Sequence, residues 1–170
     1  MTRKWIVRLA LLVVVTSTIG CDQATKRLAA EHLMGAETQS LLGDTVRLGY
    51  AENTGAFLSL GADLSPAIRT AIFSVGCSVM LLVCAFVAFR NRQRLVPLFA
   101  LALVCAGGVS NVIDRITRGS VIDFLNVGIG SLRTGIFNVA DVAILAGVIV
   151  LLFQKSSPGR PELSRSGDVR

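Results

Sequence analysis

Asp123 and Asp141 are the two side chains of this chain best suited to chemistry, and they stand 18 residues apart. Asp141 is followed by VAILAGVIVLLF, so its carboxylate belongs to an apolar helix, where an ionisable group is expensive and needs a partner or a purpose. A glycine-rich connection, GIGSLRTG, lets the chain fold back and bring the two carboxylates together. Two such groups meeting in a low-dielectric site cannot both ionise readily, so they share a proton. One can then activate water while the other protonates a carbonyl oxygen, which is hydrolysis without a metal or a covalent intermediate. Counting from a helix that starts near Ile136, Asp141 lies about two turns in, some ~8 Å below the helix start. A plainer role stays open for Asp123, as a helix cap or as an ion-pair partner of Arg118 or Arg133.

Further polar residues cluster around these two. Asn138 stands at i−3 from Asp141, on the same helix face. Asp114 and Arg115 are sequence neighbours that do not face each other on a helix, and Asn111 is spaced to link them. That pair reads either as an anchor at the membrane interface or as a holder of the active-site loop or a lipid head group. Asn53, in AENTGAF, reads first as a turn residue. Asp22 and Lys26 are spaced i,i+4, acid before base, and share one helix face.

The elements that must carry these residues are mostly apolar. Of 170 residues, 52% are hydrophobic and 16% charged, and the mean hydropathy is +0.65. This composition excludes an ordinary soluble domain and points to a small integral membrane protein. The expected fold is an α-helical integral membrane protein. Four transmembrane helices run at about 5–21, 67–89, 95–113 and 136–153, with a small extracytoplasmic β-sheet between the first and second. The sheet is expected in the glycine-punctuated segment 35–66, lying on the membrane surface. Residues 1–155 form one domain, and 156–170 form a polar, disordered cytoplasmic tail.

Charge sets the orientation. The N-terminus, the 90–94 turn and the tail hold ten basic residues against Glu162 and Asp168, whereas the other side holds seven basic and nine acidic. The positive-inside rule puts both termini in the cytoplasm and the polar interval 111–141 near the outer face. The net charge of +6 is therefore topological, and no nucleic-acid partner is expected. Four cysteines without a CxxC, and a single histidine at position 32, argue against a zinc site, and no cofactor is expected.

Five blocks, taken together, resemble lipoprotein signal peptidase (signal peptidase II), a family of bacterial membrane aspartic peptidases. They are Cys21 with DQATK at 22–26, YAENTGAF at 50–57, GGVSNVIDR at 107–115, GSVIDF at 119–124 and FNVAD at 137–141. The resemblance implies removal of signal peptides from diacylglyceryl-modified prolipoproteins, cut before the lipidated cysteine, at the bacterial cytoplasmic (inner) membrane. It implies Asp123 and Asp141 as the catalytic pair. Substrate binding or support of the site falls on Asp22, Lys26, Asn53, Gly108, Asn111, Asp114, Arg115, Asn138 and Ala140. Val112-Ile113 and Val139 depart from the apolar residues common at those places, and none of them is a proposed catalytic group. The partners are prolipoprotein substrates and membrane lipid, and the protein is expected to be a monomer.

Two other readings compete. Asp141 could be the ionisable site of a small proton- or ion-coupled transporter. Alternatively, the basic start, apolar run and small residues before Cys21 could be a lipoprotein signal cut before that cysteine. Arg8 interrupts the apolar run and DQATKRLAAEHL continues as good helix, so an uncleaved first span is expected.

Overall fold

A computed structural model describes residues 2–54 and 95–153, together with 65, 68, 71, 72, 75, 76, 78, 79, 82–84 and 86. The first element, α1 (Thr2–His32), is a single helix of 31 residues that passes straight through Cys21. Its apolar first half carries exposed Trp5, Ile6, Leu9, Leu12 and Val13, as a surface facing lipid would. Beyond Cys21 a buried stripe begins: Asp22, Lys26, Ala29 and, just past the helix end, Leu33. The spacing of four, three and four is one helix face turned towards the rest of the molecule.

Of the second expected span, 67–89, the described residues are helical, among them Ile72, Val79 and Leu82–Cys84. The remainder of that span, the segment 55–64, the 90–94 turn and the tail from 154 lie outside the described residues. The next helix, α2 (Leu95–Arg118), extends five residues beyond the expected end at Ile113. Gly119, at φ 79°, stops it, donating its N–H to the Arg115 carbonyl at 3.1 Å. Glycine takes this left-handed conformation without the penalty a Cβ brings. The last described helix, α3 (Val139–Phe153), begins three residues later than the expected 136. Both α1 and α2 are long and apolar enough to cross a membrane.

α2 and α3 pack closely because glycine stands at two crossing points. A Cβ on Gly107 would come within 2.5 Å of the Ala140 carbonyl oxygen, and one on Gly147 within 2.5 Å of the Ala100 oxygen. Such small residues let helix backbones approach where lipid supplies no hydrophobic drive.

The sheet corrects the expectation that it lies only between the first two spans. Strands β1 (Gln39–Leu41) and β2 (Val46–Asn53) come from there, but β3 (Val121–Ile129) and β4 (Leu132–Arg133) come from the interval before α3. All neighbours are antiparallel in the order β1-β2-β3-β4. The glycine-rich GIGSLRTG is largely strand and tight hairpin, turning at Gly130 with φ 57°. A register shift between Leu48 and Ala51 aligns Ala51 with Asp123 and Asn53 with Val121. Ile122 and Phe124 pack on Ala29 and Leu33 of α1, with Leu48, Tyr50 and Val139 alongside, so the sheet is seated on the end of α1.

Candidate active site

Asp123 sits on β3, and Asp141 sits in the first turn of α3 rather than two turns in. Asn138 is why. It caps the helix: its Oδ1 accepts the Asp141 N–H at 2.9 Å, and Asp141 Oδ2 accepts the Asn138 N–H at 3.2 Å. This reciprocal pair is a capping box, built here from Asn and Asp. The same Asn138 donates from Nδ2 to Asp123 Oδ1 at 2.7 Å. One fully buried residue therefore links both carboxylates.

Each carboxylate has a second amide donor. Asn53 Nδ2 donates to Asp123 Oδ2 at 3.2 Å, and Asn111 Nδ2 donates to Asp141 Oδ1 at 2.9 Å. Asp123 is 4% exposed. Burial, then the Asp141 charge, push its carboxyl up to about 6, against the opposing pull of Asn138, Asn53 and Lys26. A carboxyl that keeps its proton up to about pH 6, beside one on a helix N-terminus, suits acid–base hydrolysis.

Behind the pair lies a buried ionic cluster. Lys26 Nζ meets Asp22 Oδ2 at 2.7 Å and Asp114 Oδ2 at 2.9 Å, and donates to Asn111 Oδ1 at 2.8 Å. Asp22 Oδ1 accepts the Ala140 N–H at 2.8 Å, so a carboxylate of α1 satisfies a free donor in the first turn of α3. Ser110 donates to Asp22 Oδ2 at 2.7 Å, and Gln23 donates to Asp114 Oδ1 at 2.9 Å. A charge buried here without partners would cost several kcal/mol, roughly 3–5 if one partner were deleted.

The structure thus gathers Asp22, Lys26, Asn53, Asn111, Asp114, Asp123, Asn138, Ala140 and Asp141 into one connected network. Arg115 is at its edge, donating from Nη1 to the Asn111 backbone carbonyl at 3.3 Å. Gly108 lies half-buried on α2, while the close approach to α3 falls on Gly107. Asp123 neither caps a helix nor pairs with Arg118 or Arg133; Arg133 instead bonds Asn126 and Asp44. Gln23 and Ser110 are network members that sequence reasoning missed. Their positions beside Asp22 and one turn before Asp114 were a usable signal. Glu52, which accepts from Tyr50 and Ser120 at 2.8 and 2.9 Å, was also missed; it ties β2 to the start of β3. Among the described residues, no group of three or more His, Cys, Asp or Glu converges as metal ligands would.

Comparison with known proteins agrees in family and fold. Residues 13–156 match the family model described as signal peptidase (SPase) II. A lipoprotein signal peptidase of Desulforapulum autotrophicum is 36% identical over 154 residues, covering 90% of this chain and 94% of the relative. One of Chlorobium phaeobacteroides is also 36% identical, covering 91% of each chain. A solved structure described as a bacterial membrane enzyme superposes with a TM-score of 0.76 at 23% identity, covering 84% of this chain and 90% of its own.

Proposed function

The chain belongs to the signal peptidase II family, membrane peptidases that remove signal peptides from prolipoproteins, and we propose that Asp123 and Asp141 are its catalytic pair. The observation that carries this reading is the double hold of Asn138 on both carboxylates at the mouth of α3. Asp123, favoured in its protonated form by burial and by the neighbouring charge, donates its proton to the carbonyl oxygen of the scissile peptide. Asp141 takes a proton from the attacking water. The tetrahedral intermediate then collapses: the C–N bond breaks, the amine of the cysteine leaves with the proton held by Asp141, one hydroxyl returns its proton to Asp123, and the signal peptide departs as a carboxylic acid. Asn53 and Asn111 steady the outer oxygen of each aspartate through both steps.

The substrate is a prolipoprotein whose cysteine already carries diacylglycerol. Its acyl chains stay in the bilayer while the peptide enters between helices. The enzyme is a monomer with four spans in the bacterial cytoplasmic membrane, both termini cytoplasmic, and the sheet and active site at the outer face. The exposed apolar flank of α1 and the excess of basic residues at the N-terminus, 90–94 and the tail support that arrangement. A transporter's coupling carboxylate belongs near a helix break at the bilayer midplane, unlike Asp141 in the first turn of α3. Cleavage before Cys21 would sever α1 one residue short of Asp22, which caps α3.

The test is incubation of the detergent-purified protein with a diacylglyceryl-modified prolipoprotein, comparing wild type with Asp123→Asn and Asp141→Asn. Each variant is expected to lose at least ~10³-fold in rate, as a missing general acid or base does with part of the electrostatics. Cleavage by Asp123→Asn at the wild-type rate would sink the assignment.

A further inference from the structure

Lys26 lies outside the pair assigned to the chemistry, yet its contacts lead towards it. An ammonium has three hydrogens and no lone pair. Three oxygens meet this one, from Asp22, Asp114 and Asn111, and the side chain is 1% exposed. The third contact decides the state of Asn111. A carboxamide can turn either its oxygen or its nitrogen to a neighbour, but Lys26 can only donate. Asn111 must therefore offer Oδ1 to Lys26, which leaves Nδ2 for Asp141. Asn138 Nδ2 reinforces that polarity, donating to the same Asn111 oxygen at 3.2 Å.

We propose that Lys26 is a positioning residue: it fixes which way the Asn111 amide points and holds a positive charge one carboxamide away from Asp141, setting the pH range in which the aspartate pair works. The inference rests on the reading of Asp123 and Asp141 as that pair. The charges facing it come from each packed element: Asp22 on α1, Asp114 and Arg115 on α2, Asp123 on β3 and Asp141 on α3. Glu52 on β2 is engaged by Tyr50 and Ser120. Asp22, Asp114 and Lys26 together carry one net negative charge. Without Lys26 they carry two, and the pair beside them becomes harder to ionise. The Lys26 charge already opposes the upward push on Asp123.

The experiment is a pH–rate profile on the diacylglyceryl-modified prolipoprotein for wild type, Lys26→Met, Lys26→Arg and the double variant Asp22→Asn/Lys26→Met. In Lys26→Met the acid limb is expected to move up by about one pH unit, roughly a tenfold loss of rate on that limb. Lys26→Arg keeps charge and donors and is expected to bring the limb most of the way back. The double variant removes a cation and a carboxylate together, so the cluster keeps its single net negative charge, now on Asp114. It loses the lock on Asn111, and its limb is expected to move in the same direction by less. A limb that stays in place while the rate falls, in whichever neutral variant folds, overturns the proposal and leaves the aspartate pair intact. So does failure of both neutral variants to fold, since Lys26 would then be structural. Activity retained by Asp123→Asn or Asp141→Asn overturns the pair itself.

Discussion

Asp123 is a residue whose ionised form the fold disfavours, and that has a measurable signature in stability. Its carboxyl rises from 3.8 to about 6 on folding, so the folded protein holds this proton more tightly than the unfolded chain does. The sign follows: between those two values stability grows as pH falls, and above about 6 the ionised group costs the fold on the order of 3 kcal/mol. Wild type should therefore gain thermal stability relative to Asp123→Asn when detergent solutions are taken from pH 7.5 to pH 5; a pH-independent gap would contradict it. Asn138 makes a second case. Asn138→Ala removes a helix cap, worth about 1 kcal/mol, and also the Nδ2 donor to Asp123 and the Oδ1 acceptor of the Asp141 N–H. Its stability loss should be modest, a few degrees in Tm, and its loss of rate far larger, at least ~10²-fold. The residue types were legible before the structure, because an aspartate beside an apolar run demands explanation. Its depth was not: an Asn three residues before an acid marks a helix start, and that pattern puts the boundary at 139 instead of 136.

Two elements, α2 and α3, hold the site in register, and glycine decides their spacing. Gly147→Leu would drive a side chain into the Ala100 carbonyl and Val104, and Gly107→Val into Ala140 and Ile144. Overpacking of this kind costs typically 1–3 kcal/mol. The Gly107 change should also cut activity more than the Gly147 change at equal stability loss, because Ala140 lies between the two residues of the capping box; thermal unfolding and cleavage rates on both variants check this. Apolar length marked these two stretches as helical, but not their ends, at Arg118 and Val139, nor their glycine contacts, since contact requires knowing which faces meet. The sheet was half legible. Segment 35–66 announced strands through β-type runs between turns, whereas GIGSLRTG looked like open loop because glycine marks hairpins and loops alike. It folds back on itself as the β3–β4 hairpin, and β3 is fixed by pairing with β2, a partner about seventy residues away that no local pattern reports.

At the scale of the whole molecule, orientation came from charge counting alone, and it predicts that the hairpin tip at Ser131 faces outward. With the native cysteines replaced, Ser131→Cys should react with a membrane-impermeant maleimide added to intact cells, and a cysteine placed at Asn91 should not; the reverse pattern would invert the topology. The network also joins residues far apart in the chain, from Asp22 to Asp141. Asp22 and Lys26 come from the first helix, Asn111 and Asp114 from α2, and Asn138 and Asp141 from the last described one. That bond between Asp22 and the Ala140 N–H bears on how the protein is made. A ribosome delivers the chain from its N-terminus, so Asp22 waits for the segment carrying Ala140 before either carboxylate of the proposed catalytic pair has its supports. The network is therefore complete only once the segment carrying Asn138 and Asp141 has joined the earlier helices.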